Sequence, residues 1–373
     1  MSSKVYFADM YSKFGDNLLD KFERLLCASG LDDIDFQDKF VAVKVHFGEW
    51  GNMSFLRHQY AKVLCDHIKK RGGKVFLTDA NTLYPGFRGN AVDHLSCASL
   101  NGYNELSCGV PVIIADGLRG TDEREIEVEG AEYVEKAKIG AAVAEADVII
   151  SLSHCKGHVE AGFGGAFKNI GMGCGSKKGK MEMHSSGTPA IDTSLCVGCG
   201  MCVKNCANNG VSVIDGKAVI NEDSCKGCGY CFAYCPKGAI ECKWDEARPV
   251  LSRKIAEYTK ACLDGKPSFH INIAADVQNT CDCNGAHNHA IVPDVGFFAS
   301  KDIVAVDQAA WDAINRQPAM PGGKLAQKLE GRTRLEDMDV FRLCHGGTDF
   351  PGCLEHAVKL GMGSREYELI TVK

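Results

Sequence analysis

Eight of the chain's 20 cysteines fall into two runs with one spacing, Cys196-x2-Cys199-x2-Cys202-x3-Cys206 and Cys225-x2-Cys228-x2-Cys231-x3-Cys235, the second closed by Pro236. Soft thiolates spaced this way hold three corners of a 4Fe–4S cubane, and the fourth cysteine of each run reaches past its own cube to the other. One cluster is therefore expected on Cys196, Cys199, Cys202 and Cys235, and a second on Cys225, Cys228, Cys231 and Cys206. Zinc sites also use Cys-x2-Cys, but the doubled order and the closing Cys-Pro favour iron–sulfur chemistry. Ala207 stands where the first run would often carry its own proline. Gly198, Gly200, Gly227 and Gly229 let backbone amides come close to the cluster sulfurs.

A second group surrounds a glycine-rich stretch, Gly157 to Gly173. His154, Cys155, His158, Lys168, Cys174 and His184 flank or occupy it. The stretch matches neither G-x-G-x-x-G nor G-x-x-x-x-G-K-[ST], so no standard nucleotide loop is present. Glycines such as Gly162, Gly164 and Gly165 still imply close backbone approach, either to the sheet or to an anion beside Lys168. Several His and Cys at one loop suit metal binding or acid–base work. Cys281, Cys283, His287 and His289 form a third group able to hold a metal, without the usual structural zinc spacing. Asp276, Asp282 and Asp294 read as turn residues.

These groups need a frame. Strand-type runs occur at Lys39–Phe47, Lys74–Asp79, Val110–Asp116, Asp147–Ser153, Ser268–Ala275, Val295–Ala299 and Glu366–Val372. Helical spacing marks Phe55–Arg71, Asn90–Ser99, Ile139–Ala146, Val250–Leu263, Asp302–Asn315 and Cys353–Leu360. Alternation of the two predicts an α/β fold, a mostly parallel sheet with helices on both faces. Asp79, Asp116 and His154 then sit at strand C-termini, where such sheets bind ligands, and the two aspartates join the three glycines as candidate cofactor contacts. The cysteine runs interrupt this pattern, which predicts an α/β domain in two parts, 1–190 and 244–373, around a small insert at 191–243.

Composition bounds the rest. The apolar fraction is 45%, the charged fraction 24% and the net charge −6, so no basic footprint invites nucleic acid. No positively charged segment precedes a long apolar run, and neither secretion nor a membrane span is expected. Thiols and cubanes together suit a reducing cytoplasm. Between Asp192 and Lys243, five acidic residues balance five lysines. A carrier that docks by charge would gain from a field of one sign, so electron delivery within the chain fits better.

The segments resemble the family called domain of unknown function 362, on VAVKVHFGEWGNMSF, GGKVFLTDANTLY, VPVIIADGLRG, SHCKGHVEAGFGGAFKNIGMGCGSKKGKMEMH, CDC, VPDVGFFASKDIVAVDQAAWD and LGMGSREYEL. The resemblance covers nearly the whole chain, with the ferredoxin-like insert, and brings no assigned reaction. A more distant likeness lies in His158-Val-Glu-Ala-Gly-Phe-Gly-Gly-Ala-Phe-Lys168, which looks like the site loop of lactate racemases. That resemblance implies His158 as an acid–base residue, Lys168 as the tether or contact of an anionic nickel cofactor, and His184 as a nickel ligand. The racemase Asp-x-Thr-Arg-Pro run is absent; Val43 to Glu49 occupies a comparable place, and racemases carry no such insert.

The expected function is an iron–sulfur oxidoreductase. Single electrons pass from an outside protein donor, or to an acceptor, through two 4Fe–4S clusters to a site built on His158, Lys168 and His184. A small anionic substrate, or a second cofactor or metal, occupies that site. The alternatives are a non-catalytic electron-transfer partner subunit, and a racemase-like or metal-handling enzyme whose clusters sense redox state.

Overall fold

The structure is a computed structural model describing residues 2–84, 86–185, 188–225, 227 and 229–373. Its frame is an eight-stranded sheet. In chain order the strands are β1 (Ser3–Asp9), β2 (Phe40–Val45), β3 (Lys74–Asp79), β4 (Val112–Ile114), β5 (Val148–His154), β6 (Ser268–Ala274), β7 (Gly296–Ser300) and β8 (Tyr367–Thr371). Their spatial order is β8-β1-β7-β6-β5-β2-β3-β4. From β4 to β6 every pair is parallel. β7 runs against both its neighbours, while β1 and β8 pair in parallel.

Alternation along each strand feeds two cores. Val41, Val43 and Val45 of β2 and Ile150 and Leu152 of β5 share one face. Against it pack Phe22, Leu25 and Leu26 of α1 (Leu18–Ala28) and Tyr60, Leu64 and Ile68 of α2 (His58–Lys69). Helix α3 (Ala91–Leu100) follows β3. The glycine-rich stretch leads into α4 (Lys177–His184). The opposite face carries α5 (Arg248–Leu263), α6 (Ile303–Asn315) and α7 (Phe350–Lys359), with Ile255, Val304 and Leu354 in the same core as Ile149 and Phe298. The α/β architecture with helices on both faces is therefore the one observed. Among the described residues no helix is long and apolar enough to cross a membrane.

That second face is not apolar throughout. Lys44, Thr78, Ser151, Ser153 and Asn272 are all buried on it, and the register sets Lys44 opposite Thr78 and Ser151, and Ser153 opposite Asn272. Such groups are tolerated inside only when hydrogen-bonded. Asn169 meets the need of Lys44 and Ser153: its amide donates to Lys44 O (2.9 Å), Leu152 O (3.2 Å) and Ser153 Oγ (3.0 Å), while its Oδ1 accepts from Lys44 Nζ (2.8 Å). It belongs to a single π turn, Lys168–Met172, a geometry that recurs at functional sites.

The insert has its own small core of Cys196, Cys202, Val211, Ala218, Cys231, Ala239 and Ile240. Ala190–Ile191 pairs with Ile240–Glu241, so entering and leaving chains meet. Cys242 and Phe232 then pack with Leu83 and Met181 of the larger body.

One expected element is different. Ile139–Ala146 is not a single helix: Lys136–Gly140 is a strand paired with Glu123–Glu127, and only Ala141–Ala144 is helical. The alternation of buried Ala137 and Ile139 with lysines 136 and 138 has a period of two, and Glu127 and Glu125 stand opposite those lysines.

Candidate functional site

Parallel strands β2, β3 and β5 end on one edge of the sheet, and a cleft with a cavity volume of about 70 Å³ opens there. His46 follows β2, Asp79 ends β3, and Lys156 and His158 follow β5; all four line the cleft. So do Lys168 of the π turn and Lys180 and His184 of α4. The structure thus brings His158, Lys168, His184 and Asp79 together.

Positive groups dominate the walls. Lys44 is paired with Asp79 (3.0 Å), and Lys156 with Asp282 (3.3 Å). Arg88, fully buried, reaches Glu49 Oε2 (3.1 Å), His46 Nε2 (3.0 Å), Tyr84 OH (3.0 Å) and Asp79 (3.5 Å). Burial alone would raise the Asp79 carboxyl, but Lys44 and the His94 and His46 rings hold it well below the usual range. Lys168 and Lys180 form no ion pair with a carboxylate among the described residues. Lys168 Nζ lies 3.4 Å from Cys281 Sγ, and Lys180 donates to the Gly175 carbonyl. Burial pushes the Lys180 ammonium down to about 8, against the opposing pull of Asp116 and Asp79.

The two histidines differ. His158 Nδ1 accepts the backbone N–H groups of Glu160 (3.2 Å) and Ala161 (3.1 Å), so in this arrangement its proton sits on Nε2. Burial, then Lys168 and His184, keeps the ring neutral by holding its pKa well below the ordinary value. His184 Nδ1 instead lies 3.0 Å from Glu160 Oε2, and its ring meets Trp244 at 4.7 Å. A carboxylate at one nitrogen orients a histidine and leaves the other free for proton transfer.

Other expected contacts lie elsewhere. Asp116 is buried but is not part of the cleft; it accepts from the Asn81 backbone (3.0 Å) and side chain (2.8 Å). Gly162 and Gly165 serve packing: a side chain there would meet Thr348 Oγ1 at 2.9 Å and Asp307 Oδ1 at 2.4 Å. The close approach at Gly165 lets the Asp307 carboxylate accept from Ala166 N (2.7 Å) and Phe167 N (3.0 Å), so an internal carboxylate caps this turn. Gly164 does face cleft side chains, Lys168 at 3.3 Å and Lys156 at 3.5 Å. His154 is held by Asp282 (2.8 Å) and the Ala275 carbonyl (2.7 Å), away from the cleft. Asp282 does sit in a turn, closed by Asn284 N on the Cys281 carbonyl (3.0 Å), and is also a buried ion-pair centre. His287 and His289 are exposed and apart from Cys281 and Cys283. The donor that joins the two thiols is His158, the three ligand atoms lying within 4.8 Å of one another.

In the insert, Cys196, Cys199, Cys202 and Cys235 wall one small cavity of about 20 Å³. Cys235 thus lines the same cavity as the first run. Backbone N–H groups point at the sulfurs: Ala218 at Cys196 (3.2 Å), Ala239 at Cys235 (3.3 Å) and Gly210 at Cys206 (3.1 Å). Gly198, Gly200, Gly227 and Gly229 all have left-handed φ, 60° to 71°, so both runs use the same turn. This donor set fits a thiolate-ligated cluster, whose sulfurs take such bonds. Cys228 lies outside the described residues.

Residues 41–312 match the family described as domain of unknown function (DUF362). The chain belongs to this family. No curated protein matches the sequence. A Thermotoga maritima protein of known structure is similar at 13% identity and a TM-score of 0.42, over 82% of this chain and 60% of that one. The lactate racemase apoprotein from Thermoanaerobacterium thermosaccharolyticum is similar at 15% identity and a TM-score of 0.47, over 98% and 82%.

Within the DUF362 region, sequence reasoning passed over Lys44, His46, Arg88, Lys156 and Trp244 as site residues. Lys44 had a signal, a lone charge inside Phe40-Val-Ala-Val-Lys-Val45. Arg88 and Trp244 had none, since only the fold carries their loops to this edge.

Proposed function

We propose that this DUF362 protein is a metal-handling, racemase-like enzyme that binds a small anion in the cleft and moves a proton on it, with two 4Fe–4S clusters in its insert. The observation that carries this reading is the convergence of His158, Lys168 and His184 with Lys180 and Arg88 on one cleft. Lys168 and Lys180 supply charge that no carboxylate among the described residues neutralises. A carboxylate or phosphate between them would be held by charge-assisted hydrogen bonds in a site that largely excludes water. His184, oriented by Glu160, is positioned to hold or accept the proton. The clusters would sit on Cys196, Cys199, Cys202 and Cys235, and on Cys225, Cys228, Cys231 and Cys206, supplying one-electron redox chemistry.

Calorimetry with small 2-hydroxycarboxylates and with inorganic phosphate tests the cleft. Binding should weaken at least tenfold in Lys168→Met and in Lys180→Met, and unchanged affinity in both ends the reading. Iron and sulfide analysis with EPR after dithionite tests the clusters. About eight irons per chain are expected from two four-iron cubes; two zincs without sulfide would exclude them.

Electron delivery from the insert to the cleft is a second reading, favoured by Trp244. Its ring meets both His184 and Tyr84 (6.5 Å). It also walls both the cleft and the adjoining cavity that Cys235 lines.

A further inference from the structure

The segment Cys281-Asp282-Cys283 is fixed from several directions. The Asp282 side chain is held by His154 (2.8 Å) and Lys156 (3.3 Å), and its carbonyl accepts from Glu49 N (2.8 Å). The Cys283 carbonyl accepts from Arg88 (3.3 Å), and the Cys283 N–H points at Cys281 Sγ (3.4 Å). Both thiols are thereby presented, with no rearrangement of the loop, toward His158, and Cys283 lines the cleft. A dipeptide spacing alone would be weak evidence. Two sulfurs and an imidazole within 4.8 Å, on a loop whose central residue is anchored by a buried ion pair, form a prepared chelate.

We infer that Cys281, Cys283 and His158 bind one soft or borderline transition-metal ion, of the zinc or nickel class, distinct from the insert's iron. Two thiolates and one imidazole suit such ions. Three protein ligands leave a fourth position open toward the cleft, the arrangement of catalytic rather than structural sites. The ion would then face the anion that Lys168 and Lys180 hold, so this inference deepens the proposed reading and rests on it. Ligation by His158 carries a cost. Its Nε2 must give up the proton, which moves to Nδ1 at the expense of the bonds from Glu160 and Ala161. Two neutral hydrogen bonds are weaker than a metal–imidazole bond backed by two thiolates, so the exchange favours the metal. The two thiolates balance the divalent charge, and Lys168, 3.4 Å from Cys281 Sγ, remains available as a donor to that sulfur.

The test uses the full chain with its clusters loaded, titrated anaerobically with Zn2+ or Ni2+ against a chromophoric chelator, then desalted for metal analysis. One non-iron metal per chain is expected, with an X-ray absorption edge showing two sulfur scatterers at ~2.3 Å. Cys281→Ser and Cys283→Ser should each weaken binding at least 100-fold with iron content unchanged, and His158→Gln at least tenfold. Cys283→His, which restores a donor, should recover part of the affinity, and retained iron reports that the variants fold. No bound metal, metal unaffected by both serine variants, or an edge with only nitrogen and oxygen neighbours would overturn the inference. A protein that binds phosphate or hydroxycarboxylate but no metal ends this inference alone. One that binds the metal but no anion ends the anion reading alone.

Discussion

Lys180 is a cleft residue whose titration is brought close to the physiological range. Burial lowers its ammonium to about 8, with Asp116 and Asp79 opposing. The folded value lies below the ordinary lysine value, so the charge is present below pH 8 and lost above it. The folding penalty of burying that charge therefore applies below pH 8 and is relieved as pH rises toward the unfolded value. Anion affinity moves the other way: it should be constant below pH 8 and fall by up to ~10-fold per unit above. Isotherms between pH 6.5 and 9.5 check this, and Lys180→Met should flatten the profile. At the same scale, Cys235→Ser should damage the cluster on Cys196, Cys199 and Cys202 and spare that on Cys225 and Cys231, because Cys235 walls the first cavity. EPR of the reduced variant separates the cases; loss of the other cluster would refute the crossed assignment.

At the scale of elements, the π turn depends on glycine more than the ligand argument foresaw. A side chain at Gly171 would meet the Ile255 carbonyl at 2.2 Å and Thr259 Oγ1 at 2.6 Å, both on α5. Helix backbone cannot yield as a side-chain tip can, so Gly171→Ala should destabilise the protein by at least ~1–3 kcal/mol. A fall in unfolding temperature measures this, and an unchanged temperature would mean that α5 shifts freely. The sequence showed that these glycines imply close approach but not what approaches. For Gly171 it is a helix, and for Gly165 the Asp307 carboxylate. Strand β3 was legible to the residue because an apolar run ends at Asp79 and α2 because its apolar spacing is regular. Two elements were readable and not singled out. Helix α1 has Phe22, Leu25 and Leu26 at helical spacing behind an Asn17–Asp20 capping box. Strand β1, at seven residues as long as any in the sheet, carries the apolar run Val5-Tyr-Phe-Ala8 and pairs with β7 and β8.

At the scale of the molecule, the cysteine assignments rest on spacing alone, because cubane geometry constrains sequence directly. Proximity of His158, Lys168 and His184 followed from one loop leaving one strand end. Asp282 and Arg88 were out of reach, since His154 for the one and Glu49 and His46 for the other lie over 30 residues away. The same assembly places Trp244, the residue after the insert, between cleft and insert, against His184 at 4.7 Å and Tyr84 at 6.5 Å. Its non-glycine φ of +53° is a costly conformation that the surrounding packing must hold. If electrons pass from the insert to the cleft, this ring is the contact between them. With the insert reduced by dithionite and a one-electron dye bound in the cleft, Trp244→Leu should slow dye reduction at least tenfold, while Trp244→Phe should retain most of the rate. Anion affinity at pH 7 should stay within about threefold in both, since the charged contacts remain. Equal rates in all three proteins would show that the clusters do not serve the cleft through this ring. The balance of five acidic residues and five lysines in the insert, counted before the clusters' own charge, adds an independent expectation: reduction by a small acidic redox protein should change little between low and high salt.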